Sequence, residues 1–199
     1  MPLTKAVVQD RPRIPPRTPG DYVALLWATG LFSGFSPVAP GTAGSAVMAA
    51  LYYAGGKLGW FQPFALDTLV WLLLAAVAVS YSGGWAAERA ENFFGAKDPN
   101  EVVVDEFAGQ LITYLFLPLV PQLAGRAWAF EMWTLGGFLL FRLFDVIKPY
   151  PAGRFEALRG GLGIMADDIV AGIQAGLVLL LCAKGMALCL GAAGCVAAF

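Results

Sequence analysis

The chain has 199 residues, of which 58% are hydrophobic and 14% are charged, and its formal net charge is -1. This composition argues against a soluble globular domain and offers no basic surface for nucleic acid. The absence of histidine excludes histidine bases and ligands, and the cysteines (Cys182, Cys189 and Cys195) lack the paired spacing of a metal site.

The first 20 residues contain five prolines and four basic side chains against one acid. They predict a disordered basic tail rather than a cleavable signal. An uncharged run of 35 residues, 22–56, follows. One straight helix of that length would extend about 52 Å, and the prolines and glycines of 33–45 interrupt it. We therefore predict a surface helix near 22–32, a loop at 33–43 and a first crossing at 44–60.

The remainder of the chain predicts four further crossings within a single domain, 21–199. Uncharged runs at 68–87 and 107–125 approach the roughly 20 residues that cross a bilayer. The predicted crossings are 64–82, 98–119, 127–147 and 166–190, with a polar helix near Glu88 to Glu91 and a glycine-rich connection at 152–165. The expected fold is all-α, a polytopic helical membrane protein with about five crossing helices plus short surface helices.

Five crossings place the tail, the 82–106 region and the 142–168 region on one face. That face carries ten of the thirteen basic residues, so the positive-inside rule predicts that it is cytoplasmic. It also carries twelve of the fourteen acids, and loop bias does not account for acids. Their concentration indicates a functional site on the cytoplasmic face.

The first acidic group begins a predicted helix. Asp98 and Glu101, on either side of Pro99, fit an ordinary capping box, so their structural explanation is strong. Asp105 and Glu106 lie between a valine run and a long apolar segment, where carboxylates are costly unless they are paired or bind a cation. Function is the better explanation for that pair.

Two further groups sit at predicted helix ends. Arg142, Asp145 and Lys148 share one helix face, and the alternatives are an interfacial ion pair or an anion site. Asp167 and Asp168 enter the last helix, where the helix dipole alone could favour acids. Paired carboxylates also suit Mg²⁺, which prefers oxygen ligands.

The loop before the first crossing contains Ser36, Gly41, Thr42, Gly44 and Ser45. Backbone N–H groups at a helix start can bind phosphate, although an ordinary capped turn would have the same composition. Together with the acids and cations, this loop predicts metal-assisted phosphoryl chemistry. A non-enzymatic alternative is a membrane cation transporter or channel subunit. A CDP-alcohol phosphotransferase is a second alternative, but its spaced aspartate signature is not present.

Four stretches, 33–45, 97–109, 141–151 and 161–172, together resemble the bacterial phosphatidylglycerophosphatase A family. The resemblance implies a magnesium-dependent hydrolase of the bacterial inner membrane that converts phosphatidylglycerophosphate, an anionic phospholipid, into phosphatidylglycerol. The family's acidic and basic motif positions fall on Asp98, Asp105, Glu106, Asp145, Asp167, Asp168, Arg142 and Lys148.

We assign roles to these residues as hypotheses. One or two Mg²⁺ ions would lie between Asp105 and Glu106 on one helix and Asp167 and Asp168 on another, with Asp98 as a further ligand. Arg142 and Lys148 would bind the phosphate, assisted by Ser36, Thr42, Gly44 and Ser45. The catalytic set would be Asp105, Glu106, Asp145 and Asp168, through an activated water or an aspartyl-phosphate. Membrane lipids surround the protein, and a homo-oligomer is left open.

Overall fold

The computed structural model describes residues 13–152 and 161–196, and every regular element within them is helical. The α-helices of these ranges are α1 (Pro19–Ala28), α2 (Pro40–Lys57), α3 (Leu66–Phe94), α4 (Val104–Tyr114), α5 (Ala129–Ile147) and α6 (Gly161–Val196). Short 3-10 turns lie at Ser33–Phe35, Leu117–Leu119 and Pro121–Leu123. The all-α prediction is confirmed.

Helix α1 begins with a complete N-terminal cap. Thr18 accepts a hydrogen bond from the Asp21 backbone, and the Asp21 carboxylate accepts one from the Thr18 backbone. The helix is held against α3, because the Trp27 indole N–H donates to the Ser82 hydroxyl at 3.1 Å. The predicted tail lies mostly in residues 1–12, outside the described residues; within the described part, the Ile14 N–H donates to the Asn92 carbonyl at 2.9 Å.

Helix α4 is shorter than the crossing predicted at 98–119. It starts at Val104 and has 11 residues, or about 16 Å. The predicted capping box at Asp98 and Glu101 is wrong, because Asp98 has a left-handed φ of 49°. The N–H of Val103 donates to the Ala28 carbonyl at 2.9 Å, which holds the β-branched segment against α1 and delays the helix.

Helix α6 begins earlier than predicted. The glycine-rich connection was expected to continue to 165, but residues 161–165 are helical. Ile164 and Met165 are buried against alanines of α3, and this packing outweighs the modest helix penalty of glycine. The rest of the predicted connection, 153–160, lies outside the described residues.

Within the described residues, two helices are long and apolar enough to cross a membrane, rather than the five predicted. They are α3 and residues Gly163–Gly191 of α6. In the most apolar 18-residue stretch of each, only 28% and 22% of the residues, respectively, are buried. A core helix of a soluble protein would be mostly buried, so these helices fit membrane association. Helix α4 fails by length and α5 carries Glu131, Arg142 and Asp145.

Helix α4 lies at the centre of the bundle and packs against α2, α3, α5 and α6. Its residues from Glu106 to Tyr114 are all buried. Glycines allow the closest crossing, since a Cβ on Gly172 of α6 would lie 2.4 Å from the Gly109 carbonyl oxygen of α4. The Thr113 hydroxyl donates to the Gly172 carbonyl at 3.2 Å across the same contact. This packing fixes the first turn of α4 relative to α6.

Candidate active site

A polar cavity of about 290 Å³ opens at the end of the bundle where α2, α4 and α6 begin and α5 ends. Six carboxylates and two cationic side chains line it: Asp98, Asp105, Glu106, Asp145, Asp167, Asp168, Arg142 and Lys148. The three charged motifs predicted from the sequence therefore meet in one place. The start of α2 completes the wall with Ala39, Pro40 and Gly41.

The start of α2 differs from the predicted loop, because the helix begins at Pro40 rather than near residue 44. Proline fits the first helical position, where the missing N–H is not needed. The amides of Gly41 and Thr42 have no carbonyl partner within the helix, so this helix start has the geometry that can bind an anion. Gly41 allows the approach of α4, since a Cβ there would lie 2.0 Å from Glu106 Oε1.

Ser45, Glu106 and Arg142 join three helices on one side of the cavity. The Ser45 hydroxyl lies 2.9 Å from Glu106 Oε2 and accepts from Arg142 Nη1 at 3.2 Å. Arg142 also pairs with Glu106 directly, and with Asp145 one turn along α5 at 2.9 Å. This guanidinium is therefore held in place by two carboxylates at the cavity wall.

Lys148 and the two aspartates of α6 also line the cavity. Lys148 ends α5 and its Nζ lies 2.5 Å from Asp167 Oδ2. Asp167 and Asp168 are 7% and 4% exposed, which is unusual burial for adjacent carboxylates. Both lie in the second turn of α6, beyond the first turn where the helix dipole favours acids. A ligand or a salt bridge therefore remains as the explanation for the burial of each carboxylate.

Three buried carboxylates fit a metal ion. Glu106, Asp145 and Asp168 each offer an oxygen atom, and these atoms lie within 4.8 Å of one another. The donor set is entirely oxygen, which suits a hard cation such as Mg²⁺ better than a soft one. The grouping differs from the predicted one, because Asp145 joins the cluster while Asp167 faces Lys148.

Electrostatics also favours a bound cation. Six carboxylates against two cationic groups leave a formal charge of -4 around the cavity. Asp105 and Glu106 are on α4, which is not one of the two helices of membrane length. Burial is the main reason that the pKa of Asp105 lies well above its ordinary value, and the charge of neighbouring Glu106 is the second reason. Burial likewise raises the pKa of Glu106, followed by the charge of Asp145. A divalent cation would relieve this crowding.

Strained backbone surrounds the cavity. Among the described residues, five non-glycine residues have a positive φ, and three of them line it: Ala39 (50°), Asp98 (49°) and Lys148 (45°). Such conformations cost free energy and persist where the surrounding structure enforces them, often at functional sites. The pattern is independent of the charges and points to the same cavity.

Four residues predicted to bind substrate, Ser36, Thr42, Gly44 and Ser45, do not line this cavity. Gly44 packs against Val103, and the Ser36 hydroxyl donates to the Val38 carbonyl at 2.9 Å. Thr42 is half-buried in the first turn of α2, next to the cavity wall. Their roles stay predictions.

Sequence reasoning missed Glu91, which is 3% exposed and accepts from the Asp98 backbone N–H at 3.0 Å. This bond holds the Asp98 turn in place. Glu91 lies seven positions before Asp98, and no pattern in the sequence indicates that the two residues are in contact.

The fold and the site together define a helical protein with two long apolar helices that fit membrane association, and with an acid-rich cavity suited to a phosphate group and a hard metal ion. Residues 26–183 match the family described as Phosphatidylglycerophosphatase A. The chain belongs to this family of lipid phosphatases, and the resemblance seen in the motifs is confirmed.

Curated relatives agree with this assignment. Phosphatidylglycerophosphatase A of Escherichia coli is 36% identical over 149 residues, covering 74% of this chain and 76% of that protein. Phosphatidylglycerophosphatase A of Haemophilus influenzae is 35% identical, covering 77% and 85%. A Bacteroides thetaiotaomicron protein with the provisional name phosphatidylinositol-3-phosphatase is 37% identical, covering 76% and 88%. No significant match is found among solved structures.

Proposed function

We propose that this protein hydrolyses the terminal phosphate of phosphatidylglycerophosphate, releasing inorganic phosphate and phosphatidylglycerol, and that the reaction depends on Mg²⁺. The observation that carries the proposal is the oxygen cluster of Glu106, Asp145 and Asp168 beside Arg142. A phosphate monoester needs both a cation clamp and charge neutralisation, and this cavity offers the groups for both.

In the proposed reaction, Arg142 and Lys148 bind the phosphate oxygens together with the first-turn amides of α2. Glu106, Asp145 and Asp168 would hold the metal. When bound, Mg²⁺ supplies Lewis-acid polarisation of the phosphoryl group and acidifies water. Asp105 accepts a proton from the attacking water as the water oxygen bonds to phosphorus. The phosphorus–oxygen bond to glycerol breaks, and that oxygen takes up a proton from solvent.

An aspartyl-phosphate route is the chemical alternative. There, a carboxylate of the cavity would bond to phosphorus first, and water would release it in a second step. Rapid acid quenching of a reaction with ³²P-labelled substrate distinguishes the routes. Label retained on the protein supports the covalent route, and label found only as free phosphate supports direct attack by water.

We further propose a multi-pass topology in the bacterial inner membrane with the cavity facing the cytoplasm. Helices α3 and α6, which have membrane length, would cross, and the shorter α2, α4 and α5 would pack against them inside the bundle. The charge asymmetry supports this orientation. A cation-transport function gains no support, because the cavity acids gather where helices begin and end rather than along a path through the bundle.

The relatives' names differ in substrate, so a panel tests the proposal. Purified protein in mixed micelles with Mg²⁺ is given phosphatidylglycerophosphate, phosphatidylinositol 3-phosphate or phosphatidic acid, and phosphate release is measured. Asp168→Asn is the matched blank. Phosphatidylglycerophosphate should have the highest kcat/KM. A higher value for the inositol lipid would replace the proposed substrate, and no release from any lipid would contradict the function.

A further inference from the structure

We propose that the groove between α2 and α5 holds an acyl chain of the phospholipid substrate. This inference rests on the proposed function, because it assumes that the reacting phosphate belongs to a lipid. The groove encloses about 370 Å³ and is separate from the polar cavity. Its walls are mainly apolar, with Ala46, Ala49 and Ala50 on α2 and Leu135 and Phe138 on α5.

Polar contacts join α2 and α5 at both ends of this groove. At the cavity end, Arg142 donates to Ser45 at 3.2 Å. At the far end, Lys57 pairs with Glu131. Ser45 and Lys57 are 12 positions apart on α2, which corresponds to about 18 Å along the helix. Between these contacts the alanines of α2 leave an open channel instead of a packed interface.

The groove begins about one helical turn beyond the polar cavity. Ala46 directly follows Ser45 on α2, and Phe138 lies one turn before Arg142 on α5. A phosphate bound by Arg142 would therefore place the rest of its headgroup at the mouth of the groove. This proximity favours as occupant the lipid that carries the phosphate, rather than another lipid of the surrounding bilayer.

Thr134 provides an independent observation. It lines the groove and is 6% exposed, yet its hydroxyl has no hydrogen-bond partner among the described residues. Thr134 lies eight positions before Arg142, or about 12 Å along α5. A headgroup containing glycerol and a second phosphate has comparable reach from its terminal phosphate to the acyl ester. Because this hydroxyl is buried, it would donate to that ester carbonyl after rotating about χ1 toward the groove.

The groove contributes mainly by positioning. An acyl chain gains little free energy by leaving lipid for a protein groove, because lipid tails are as apolar as the side chains. Holding the chain instead orients the headgroup in the cavity, which is the kind of contribution that raises the rate of a bound substrate. Blocking the groove should therefore impair turnover of the lipid and leave headgroup binding intact.

The test compares Ala46→Phe and Ala50→Phe with Ala78→Phe. Ala78 is an exposed alanine on α3, so its variant matches the substitution on a helix outside the groove. Two quantities are measured in mixed micelles: kcat/KM for phosphatidylglycerophosphate and the inhibition constant of its acyl-free headgroup, glycerophosphoglycerophosphate. The two groove variants should lower kcat/KM by about tenfold or more, because a phenylalanine ring would occupy the groove and exclude the acyl chain.

The inhibition constant of the headgroup should change less than about twofold in the groove variants, and Ala78→Phe should resemble the wild type in both quantities. Thr134→Val keeps the shape of the side chain and removes one hydrogen bond, so kcat/KM should fall about fivefold. Thr134→Val also tests the groove if a phenylalanine variant fails to fold.

The outcomes separate this inference from the proposed function. If the wild type does not release phosphate from phosphatidylglycerophosphate, the proposed function fails. If the wild type is active but folded groove variants and Thr134→Val match Ala78→Phe, the groove does not hold the chain. Weakened headgroup inhibition in the groove variants would also overturn the inference, because it would indicate a distorted cavity.

Discussion

The Ser45 hydroxyl of α2 lies 2.9 Å from Glu106 Oε2 of α4, although 61 positions separate the two residues. The same hydroxyl accepts a hydrogen bond from Arg142 of α5 at 3.2 Å. One small side chain thus links the helix start that could bind phosphate, a carboxylate of the proposed metal cluster and the principal cation. Any displacement of α2 would disturb all three.

Asp105→Asn and Asp168→Asn should each lower kcat at least about a hundredfold, because each removes a charge from the proposed catalytic cavity. Both variants should remain folded and inserted in the membrane. Glu101→Gln is the matched control, since Glu101 does not line the cavity, and it should stay close to wild type. Near-normal turnover by both aspartate variants, with folding checked by thermal unfolding, would refute the assignment of the acids.

Asp98→Asn tests a residue that was predicted to cap a helix but does not. Asp98 does not cap α4, but it lines the cavity with a left-handed backbone that asparagine tolerates equally well. We expect an unchanged unfolding temperature and a loss of activity of about tenfold or more, because a cavity carboxylate is lost. Unchanged activity would remove Asp98 from the proposed site.

Gly41→Ala should lower activity by about tenfold or more, because its methyl group would meet Glu106 2.0 Å away and displace the cluster. Gly185→Ala is the matched control, since nothing lies within 4 Å of a Cβ at that helical position. Activity and thermal unfolding are measured for both. Equal activity in the two variants would show that the approach of α2 to α4 is not required.

Membrane orientation can be tested with single cysteines in a background where the native cysteines are replaced. Lys97→Cys lies at the cavity face, and Arg126→Cys lies beyond the far end of α4. In the proposed topology, an impermeant thiol reagent should label Arg126→Cys once the outer membrane is opened. It should label Lys97→Cys only after the inner membrane is permeabilised. The reverse pattern would invert the orientation.

The sequence predicted which charged residues lie together better than it predicted the helix boundaries. The charged motifs met as expected because each lies at or near a helix end, and the helices place those ends on one face. The start of α4 was misplaced because Asp98-Pro99 has the composition of a cap. The actual boundary depends on a hydrogen bond from Val103 to Ala28, which is distant in sequence. Local patterns do not encode such contacts.

The number of membrane-length helices was also overestimated, for a physical reason. An uncharged run indicates burial but does not distinguish lipid from protein as the surroundings. In α4 the run reflects a central position among four other helices, while the exposed apolar face of α3 fits membrane association. Likewise, the clustering of Asp145 with Glu106 and Asp168 depends on how three helices cross, which spacing within one helix cannot reveal.

The most direct test of the account is phosphate release from phosphatidylglycerophosphate by the purified protein before and after removal of divalent cations. Exhaustive chelation should abolish release, and added Mg²⁺ should restore it, because the buried Glu106, Asp145 and Asp168 would otherwise lack their cation. Asp168→Asn should remain inactive at every Mg²⁺ concentration that restores the wild type. Undiminished turnover by the fully chelated protein would contradict the metal-assisted mechanism at the centre of this account.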